Sequence, residues 1–141
     1  MPQKVHTIAS LSLTHSAVLE MLGAAVAKAD EIGQPQCVVI VDASGETLGQ
    51  IRMTGAKFLS LKSARTKART AAAIGGETTV IPEHVGVLIA AATGGAVTRL
   101  AGGLPILVDG HLIGGIGVGS GSPEQDVDVA RAALSVLAGP A

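Results

Sequence analysis

Apolar residues recur every three to four positions between residues 12 and 33, the spacing of one buried helix face. The apolar positions of this stretch are Leu13, Ala17, Val18, Met21, Leu22, Ala25, Val26 and Ala29. Gly33 and Pro35 follow, and both residue types end helices. The pattern therefore predicts a first helix over residues 12–33.

After residue 35, the spacing of the apolar residues changes from that of a helix to that of a β-strand. The apolar, largely β-branched run Cys37–Val41 is typical of a buried strand, and the turn sequence Asp42–Gly45 follows it. The next segment, Glu46–Met53, places its apolar residues Leu48 and Ile51 among polar neighbours, as a returning strand does. These features predict an antiparallel hairpin.

Two further helices are predicted in the middle of the chain. Residues 56–74 form a long helical pattern that ends at Gly75-Gly76. Pro82 opens a third helix, which runs to about Ala92. Beyond it, residues 96–108 favour two short extended segments, separated at Gly102-Gly103.

The segment 104–126 carries the most information about the fold. Asp109-Gly110 lies between two apolar runs, which is a strong hairpin signal. The second run ends in the glycine-rich stretch Gly117–Gly121, where backbone can approach another chain or a ligand closely. Ser122–Gln125 then offers a cap residue, a proline at the first helical position and a glutamine three residues after the cap. We therefore predict a final helix over Pro123–Ala138.

Hairpins imply antiparallel pairing, and the helices before, between and after them must cover the sheet. We predict a mixed α/β domain in which an antiparallel sheet of about five strands lies between helices. A length of 141 residues indicates one domain over residues 1–141.

Composition narrows the possible functions. Apolar residues make up 48% of the chain, yet it has one Phe and no Trp or Tyr, while its 19 glycines exceed average usage. So many small apolar residues indicate closely packed elements and surface buried between subunits. A net charge of -1 and the near absence of aromatic side chains argue against nucleic-acid binding.

The sequence has a single cysteine and shows no targeting or membrane-spanning pattern. The single Cys37 excludes an intrachain disulfide and a CxxC zinc site, and its strand context indicates a core residue. The chain opens with no signal-peptide pattern and contains no apolar run of membrane-spanning length. We therefore expect a cytoplasmic protein with no membrane association.

Five motifs together resemble the GlcG/HbpS family of haem-degrading or haem-binding-like proteins, formerly a domain of unknown function. The same module resembles the C-terminal domain of PduO-type corrinoid adenosyltransferases. The motifs are Val41-Asp42-Ala-Ser-Gly45, Lys67-Ala-Arg69-Thr-Ala71, Gly102-Gly-Leu-Pro-Ile-Leu-Val-Asp-Gly110, Ile113-Gly-Gly-Ile-Gly-Val118 and Pro123-Glu-Gln-Asp126. The resemblance covers residues 11–137 and implies a profilin-like three-layer α/β/α fold and homo-oligomers, often tetramers or octamers. It also implies haem binding in some members and a place beside catabolic enzymes in others.

The histidines supply one candidate metal ligand. None of the four forms an HxH, HxxxH or HExxH pair, which argues against a dedicated zinc site. His15 falls in the first turn of the first helix, where haem-binding relatives of the PduO type carry a candidate axial histidine. A neutral imidazole there can ligate haem iron. His111 follows the Asp109-Gly110 turn and is expected to face solvent. His84 is expected on a helix surface near the beginning of the helix, and His6 in a loose N-terminus.

Cations and carboxylates supply the remaining candidates. Arg69 can hold a haem propionate or the carboxylate of a small acid, or can form an ion pair with Glu124 or Asp126. Glu124 and Asp126 lie in the first turn of the final helix, where they either cap the helix or move protons, with Lys67 orienting a substrate. Gly119 and Gly121 form the rim beside them, as candidate ligand-binding positions. This glycine run lacks the lysine of a P-loop.

Three functions follow from these candidates. The first is a haem- or small-molecule-binding homo-oligomer that is accessory to a catabolic pathway. The second is a cofactor-independent lyase or isomerase that acts on a small carboxylated metabolite. In it, Arg69 or Lys67 orients the acid group, and Glu124, Asp126 or His15 moves protons. The third is an accessory subunit that docks onto a partner enzyme.

Overall fold

A computed structural model describes residues 5–138, and it contains four helices and four strands. In chain order these elements are α1 (His15–Ile32), β1 (Cys37–Asp42), β2 (Thr47–Arg52), α2 (Leu59–Ile74), α3 (Glu83–Ala92), β3 (Gly103–Val108), β4 (His111–Gly119) and α4 (Pro123–Ala138). A single 3-10 turn, Thr78–Val80, joins α2 to α3. The α/β class predicted from the sequence is confirmed.

The four strands form one antiparallel sheet in the order β2-β1-β4-β3. Helices α1 and α4 cover one face, where they pack on Val38, Ile40 and Val118. Helix α2 covers the opposite face, where it packs on Val39 and Val41. The expected three-layer arrangement is therefore confirmed.

The sheet has four strands in the described part of the chain, one fewer than the approximate five predicted from the sequence. Residues 93–102 form turns and irregular chain, so only the second of the two predicted extended segments pairs. The reason is that backbone groups of this segment form hydrogen bonds with threonine side chains and not with a neighbouring strand. The Thr70 hydroxyl accepts from the N–H of Thr98 at 3.1 Å, and the Thr78 hydroxyl donates to the carbonyl of Leu100. Threonine side chains thus replace a strand partner.

The capping and turn signals of the sequence are formed as predicted. Ser122 and Gln125 cap α4 reciprocally: the Ser122 hydroxyl accepts from the N–H of Gln125, and the Gln125 side chain accepts from the N–H of Ser122. Asp109 and Gly110 have φ angles of 50° and 78°, which a primed hairpin turn requires. Local chemistry therefore sets the beginning of α4 and the β3–β4 connection.

The α2 helix lies unusually close to the sheet. A Cβ on Gly117 would overlap the Ala64 carbonyl oxygen, and one on Gly115 would overlap that of Ala68. The helix contributes alanines, Ala64, Ala68 and Ala72, to the same contact. This packing accounts for the abundance of glycine and alanine, since small residues on both sides let the backbones approach.

Candidate functional site

Lys67 and Asp126 form a buried ion pair at the end of the sheet where β4 finishes. The Lys67 ammonium lies 3.0 Å from Asp126 Oδ2 and donates at 2.7 Å to the Val118 carbonyl oxygen. Only 6% of the Lys67 side chain and 5% of the Asp126 side chain are exposed. The pair therefore ties α2, on one face of the sheet, to the beginning of α4, which covers the other face.

The second carboxylate oxygen of Asp126 is also occupied. Asp126 Oδ1 accepts from the N–H of Gly121 at 3.0 Å. A Cβ on Gly102 would lie 2.9 Å from the Cβ of Asp126 and 3.3 Å from the Lys67 ammonium. Gly102 has a φ of 112° as well, so both space and backbone conformation favour glycine there. The arrangement is that of a clamp, defined here as Lys67, Asp126 and the Val118 carbonyl.

Gly119 and Glu124 lie at the same end of the sheet as the clamp. A Cβ on Gly119 would lie 3.0 Å from the Ser60 carbonyl oxygen, so the backbone that approaches this glycine is that of α2. Glu124 is exposed in the first turn of α4. Catalytic roles for Lys67, Glu124 and Asp126 stay a prediction, as do ligand-binding roles for Gly119 and Gly121.

His15 lies at the opposite end of the sheet. A Cβ on Gly49 would meet the Val18 side chain at 2.6 Å, and Gly49 pairs with Ile40 near the end of β1. His15 precedes Val18 by about one helical turn. It therefore lies toward the Asp42–Gly45 turn, where its side chain is exposed. Thr14 caps this helix, because its hydroxyl accepts from the N–H of Ala17 at 3.1 Å.

A cleft of about 560 Å³ opens at this end of the sheet. Three segments line it, namely residues 9–12, 42–44 and 111–113. Its polar groups include Asp42, whose Oδ1 accepts from the N–H of Ser44 at 2.8 Å and from that of Glu46 at 3.0 Å. The sequence predicted His111 to face solvent; it is exposed, and it also lines this cleft. We name this space the turn cleft.

Arg69 also lies at the turn-cleft end of the molecule, although α2 places it on the other face of the sheet. Its Nε lies 3.1 Å from the position of a Cβ on Gly45, so the exposed side chain runs along the Asp42–Gly45 turn. Among residues 5–138 Arg69 forms no ion pair with Glu124 or Asp126, because both carboxylates lie at the clamp end of the sheet, where Asp126 pairs with Lys67. The candidate residues thus divide between two ends of the sheet.

Other candidate chemistry within residues 5–138 is sparse. No group of three His, Cys, Asp or Glu side chains is placed to hold a metal ion. His6 and His84 are exposed. Cys37 is fully buried, as predicted for a core residue, and desolvation raises the pKa of its thiol, an effect that nearby Arg52 partly offsets. None of the helices here is at once long and apolar enough to span a bilayer.

Comparison with known proteins identifies the family. The model of a family described as haem degrading protein HbpS-like matches residues 13–135. The chain belongs to the HbpS-like family. The resemblance read from the sequence motifs is therefore confirmed, and it spans nearly the whole of the described structure.

Similar proteins extend this assignment. Corrinoid adenosyltransferase PduO of Citrobacter freundii is 32% identical to the HbpS-like chain in an alignment of 133 positions that covers 91% of this chain. The matched region is 40% of the length of that relative, so this chain corresponds to only part of it.

Two solved structures resemble the chain closely. A crystal structure of a PduOC:heme complex shares 33% identity, covers 89% of this chain and 95% of its own, and superposes with a TM-score of 0.84. The structure of Klebsiella pneumoniae protein ORFY shares 26% identity, covers 99% and 100% of the two chains, and has a TM-score of 0.93.

Proposed function

We propose that this HbpS-like chain binds haem, or a small molecule of similar chemistry, at the turn-cleft end of the sheet. The observation that carries the proposal is a cleft of about 560 Å³ at the end of the fold that also presents His15. A volume of this order is typical of small-molecule sites. The similarity to a chain solved as a haem complex, at 33% identity, supports haem as the first ligand to test.

The donor set fits haem. His15 and His111 present exposed imidazoles at this end, and a neutral imidazole nitrogen is a ligand that haem iron takes. Leu11, Leu112 and Ile113 give the cleft apolar wall for a porphyrin. Arg69 stands at the neighbouring turn with an exposed guanidinium, which can pair with a carboxylate. When bound, haem would supply an iron centre, and the His15 imidazole would be a residue that holds it.

We also propose the accessory, cytoplasmic role in catabolism that the sequence predicts, in which the chain docks onto a partner enzyme. The PduO relative supports the partner, since it carries the matching region as 40% of a longer adenosyltransferase.

Titration with hemin tests the ligand. We expect the wild-type chain to shift the Soret band saturably at a stoichiometric ratio. His15→Ala is expected to weaken binding by roughly tenfold or more, about 1.4 kcal/mol, because the imidazole that would hold the iron is lost. The matched control is His84→Ala, which removes an exposed imidazole from α3 and should leave the titration unchanged.

Two outcomes would contradict the haem proposal. One is the absence of a saturable shift at stoichiometric hemin. The other is a wild-type titration in the His15→Ala variant, which would mean that this histidine has no part in binding. His111→Ala then separates a ligand held by the histidine that lines the turn cleft from nonspecific adsorption of hemin.

The proposal also includes a homo-oligomer, a tetramer or octamer, that covers α3. This helix has the sequence EHVGVLIAAA, yet Gly86 is its only buried residue in the described structure. Val87 is 81% exposed and Leu88 is 68% exposed. Exposed apolar surface of this kind favours contact with another copy of the chain, because the contact would remove the two side chains from water.

A charge placed on α3 tests the oligomer. We expect the Leu88→Lys variant to lose the wild-type assembly, because a lysine buried between copies would lack a partner. Light scattering at fixed protein concentration gives the mass as a multiple of the 13.9 kDa chain. Glu20→Lys, which changes an exposed polar residue of α1, is the control and should keep the wild-type mass. A monomeric wild-type chain at micromolar concentration would refute this part.

A further inference from the structure

The Gln36 side chain is fully buried, and neither of its polar atoms has a partner. Its relative exposure is 0%, and within the described residues neither Nε2 nor Oε1 makes a hydrogen bond. A buried amide N–H without an acceptor costs free energy, whereas an under-satisfied carbonyl oxygen is better tolerated. The structure therefore has to complete the bonding of Gln36 Nε2.

Three polar side-chain atoms converge beside the glycine that precedes the cap of α4. A Cβ on Gly121 would lie 2.6 Å from Gln36 Nε2, 2.9 Å from Asp126 Oδ1 and 2.9 Å from Gln125 Oε1. Only a glycine leaves these atoms free to approach one another. The group combines one donor that has no partner with two acceptors.

Each acceptor keeps capacity for a second hydrogen bond. Asp126 Oδ1 already accepts from the N–H of Gly121, and Gln125 Oε1 already accepts from the N–H of Ser122. A carboxylate or amide oxygen has two lone pairs, so one remains on each. Gln36 Nε2 carries two N–H donors, so the group offers at least one unpartnered N–H and one free lone pair on each of the two oxygens.

We propose that Gln36, Gln125 and Asp126 hold one long-lived internal water molecule beside Gly121. The water accepts from Gln36 Nε2 and donates to the two oxygens, which gives it three hydrogen bonds, the usual number for buried water. It links the beginning of β1 to the first turn of α4, two elements that have no direct bond through the Gln36 side chain.

Charge favours water over a cation. The Lys67 ammonium lies 3.0 Å from Asp126 Oδ2, so the carboxylate is already neutralised by a full positive charge. A sodium, potassium or ammonium ion on the other oxygen would meet that ammonium at close range in a buried setting. A neutral guest with two donors and one acceptor meets the need without this repulsion.

Counting long-lived waters by magnetic relaxation dispersion tests the proposal. We expect the Gln36→Leu variant to hold one such water fewer than the wild-type chain. The control is Gln50→Leu, which makes the same substitution at an exposed position of β2 and should leave the count unchanged.

A measurement on the wild-type chain keeps the test independent of any variant's folding. We expect nuclear Overhauser contacts between water and the Gln36 side-chain amide protons, the same in sodium and potassium buffers. The proposal is overturned if Gln36→Leu keeps the full count. It is equally overturned if a high-resolution structure shows the amide bonded directly to Asp126 or Gln125, or if occupancy depends on the cation supplied.

Discussion

Replacing Lys67 by methionine is expected to lower the free energy of unfolding by about 3–5 kcal/mol, the usual result of removing one partner of a buried ion pair. The variant would leave the Asp126 carboxylate buried without its cation and the Val118 carbonyl without its donor. Urea unfolding at fixed protein concentration gives the difference, and fixed concentration matters because an assembled chain is stabilised by mass action.

Two further variants make this prediction specific to the clamp. Lys28→Met removes the half-buried partner of exposed Glu31, a surface pair 3.6 Å apart, and should change stability by about 0–1 kcal/mol. The double variant Lys67→Met with Asp126→Leu should be more stable than Lys67→Met alone, because no charge remains unpaired. If Lys67→Met unfolds at the same urea concentration as Lys28→Met, the clamp does not stabilise the fold as argued.

Replacing Gly117 by alanine is expected to cost about 1–3 kcal/mol, the range for overfilling a packed interior. The added Cβ would overlap the Ala64 carbonyl oxygen and lie 2.6 Å from the backbone nitrogen of Ala68. Both are backbone atoms of α2, so no side chain can rotate away and the helix itself must shift. The change is measured as the shift of the urea midpoint.

Gly23 of α1 is the matched control for this substitution. A Cβ there would have nothing within 4 Å, so Gly23→Ala is expected to stabilise the chain by about 0.5–1 kcal/mol through helix propensity. The same chemical change should therefore have opposite signs at the two positions. Equal effects at Gly23 and Gly117 would contradict close contact between α2 and the sheet.

The sequence predicted elements well where the controlling chemistry is local. Ser122 and Gln125 lie three residues apart, and Asp109 and Gly110 are adjacent, so each signal acts within one turn of chain. The missing fifth strand has a nonlocal cause, because Thr70 is 28 residues from Thr98. An extended segment whose partner is a hydroxyl on a distant helix has no signature of its own in the pattern.

The candidate site was predictable only in part. The sequence named Lys67 and Asp126 but grouped Arg69 with them. Residues two apart on a helix differ in direction by about 200°, so Lys67 and Arg69 point to opposite sides of α2. That geometry was available from the spacing alone. The approach of Gln36 to Gly121 was not, since it depends on how the layers pack around a loop that is distant in the chain.

The glycine-rich stretch shows the same limit. The sequence predicts that another chain or a ligand can approach these glycines closely, and the structure shows close approach there. At Gly115, Gly117 and Gly119, however, the approaching backbone is that of α2. A sequence shows that a close neighbour is required without showing which neighbour it is.

The separation of the clamp from the turn cleft makes this fold a practical scaffold for ligand engineering. Residues 9–12 and 43–44, together with His111, can be randomised in a library without touching Lys67, Asp126 or the glycines under α2. Substitutions selected for new ligands at the turn cleft would then leave intact the clamp that stabilises the fold at the other end. Stabilising changes such as Gly23→Ala would widen the range of sequences that such a library tolerates.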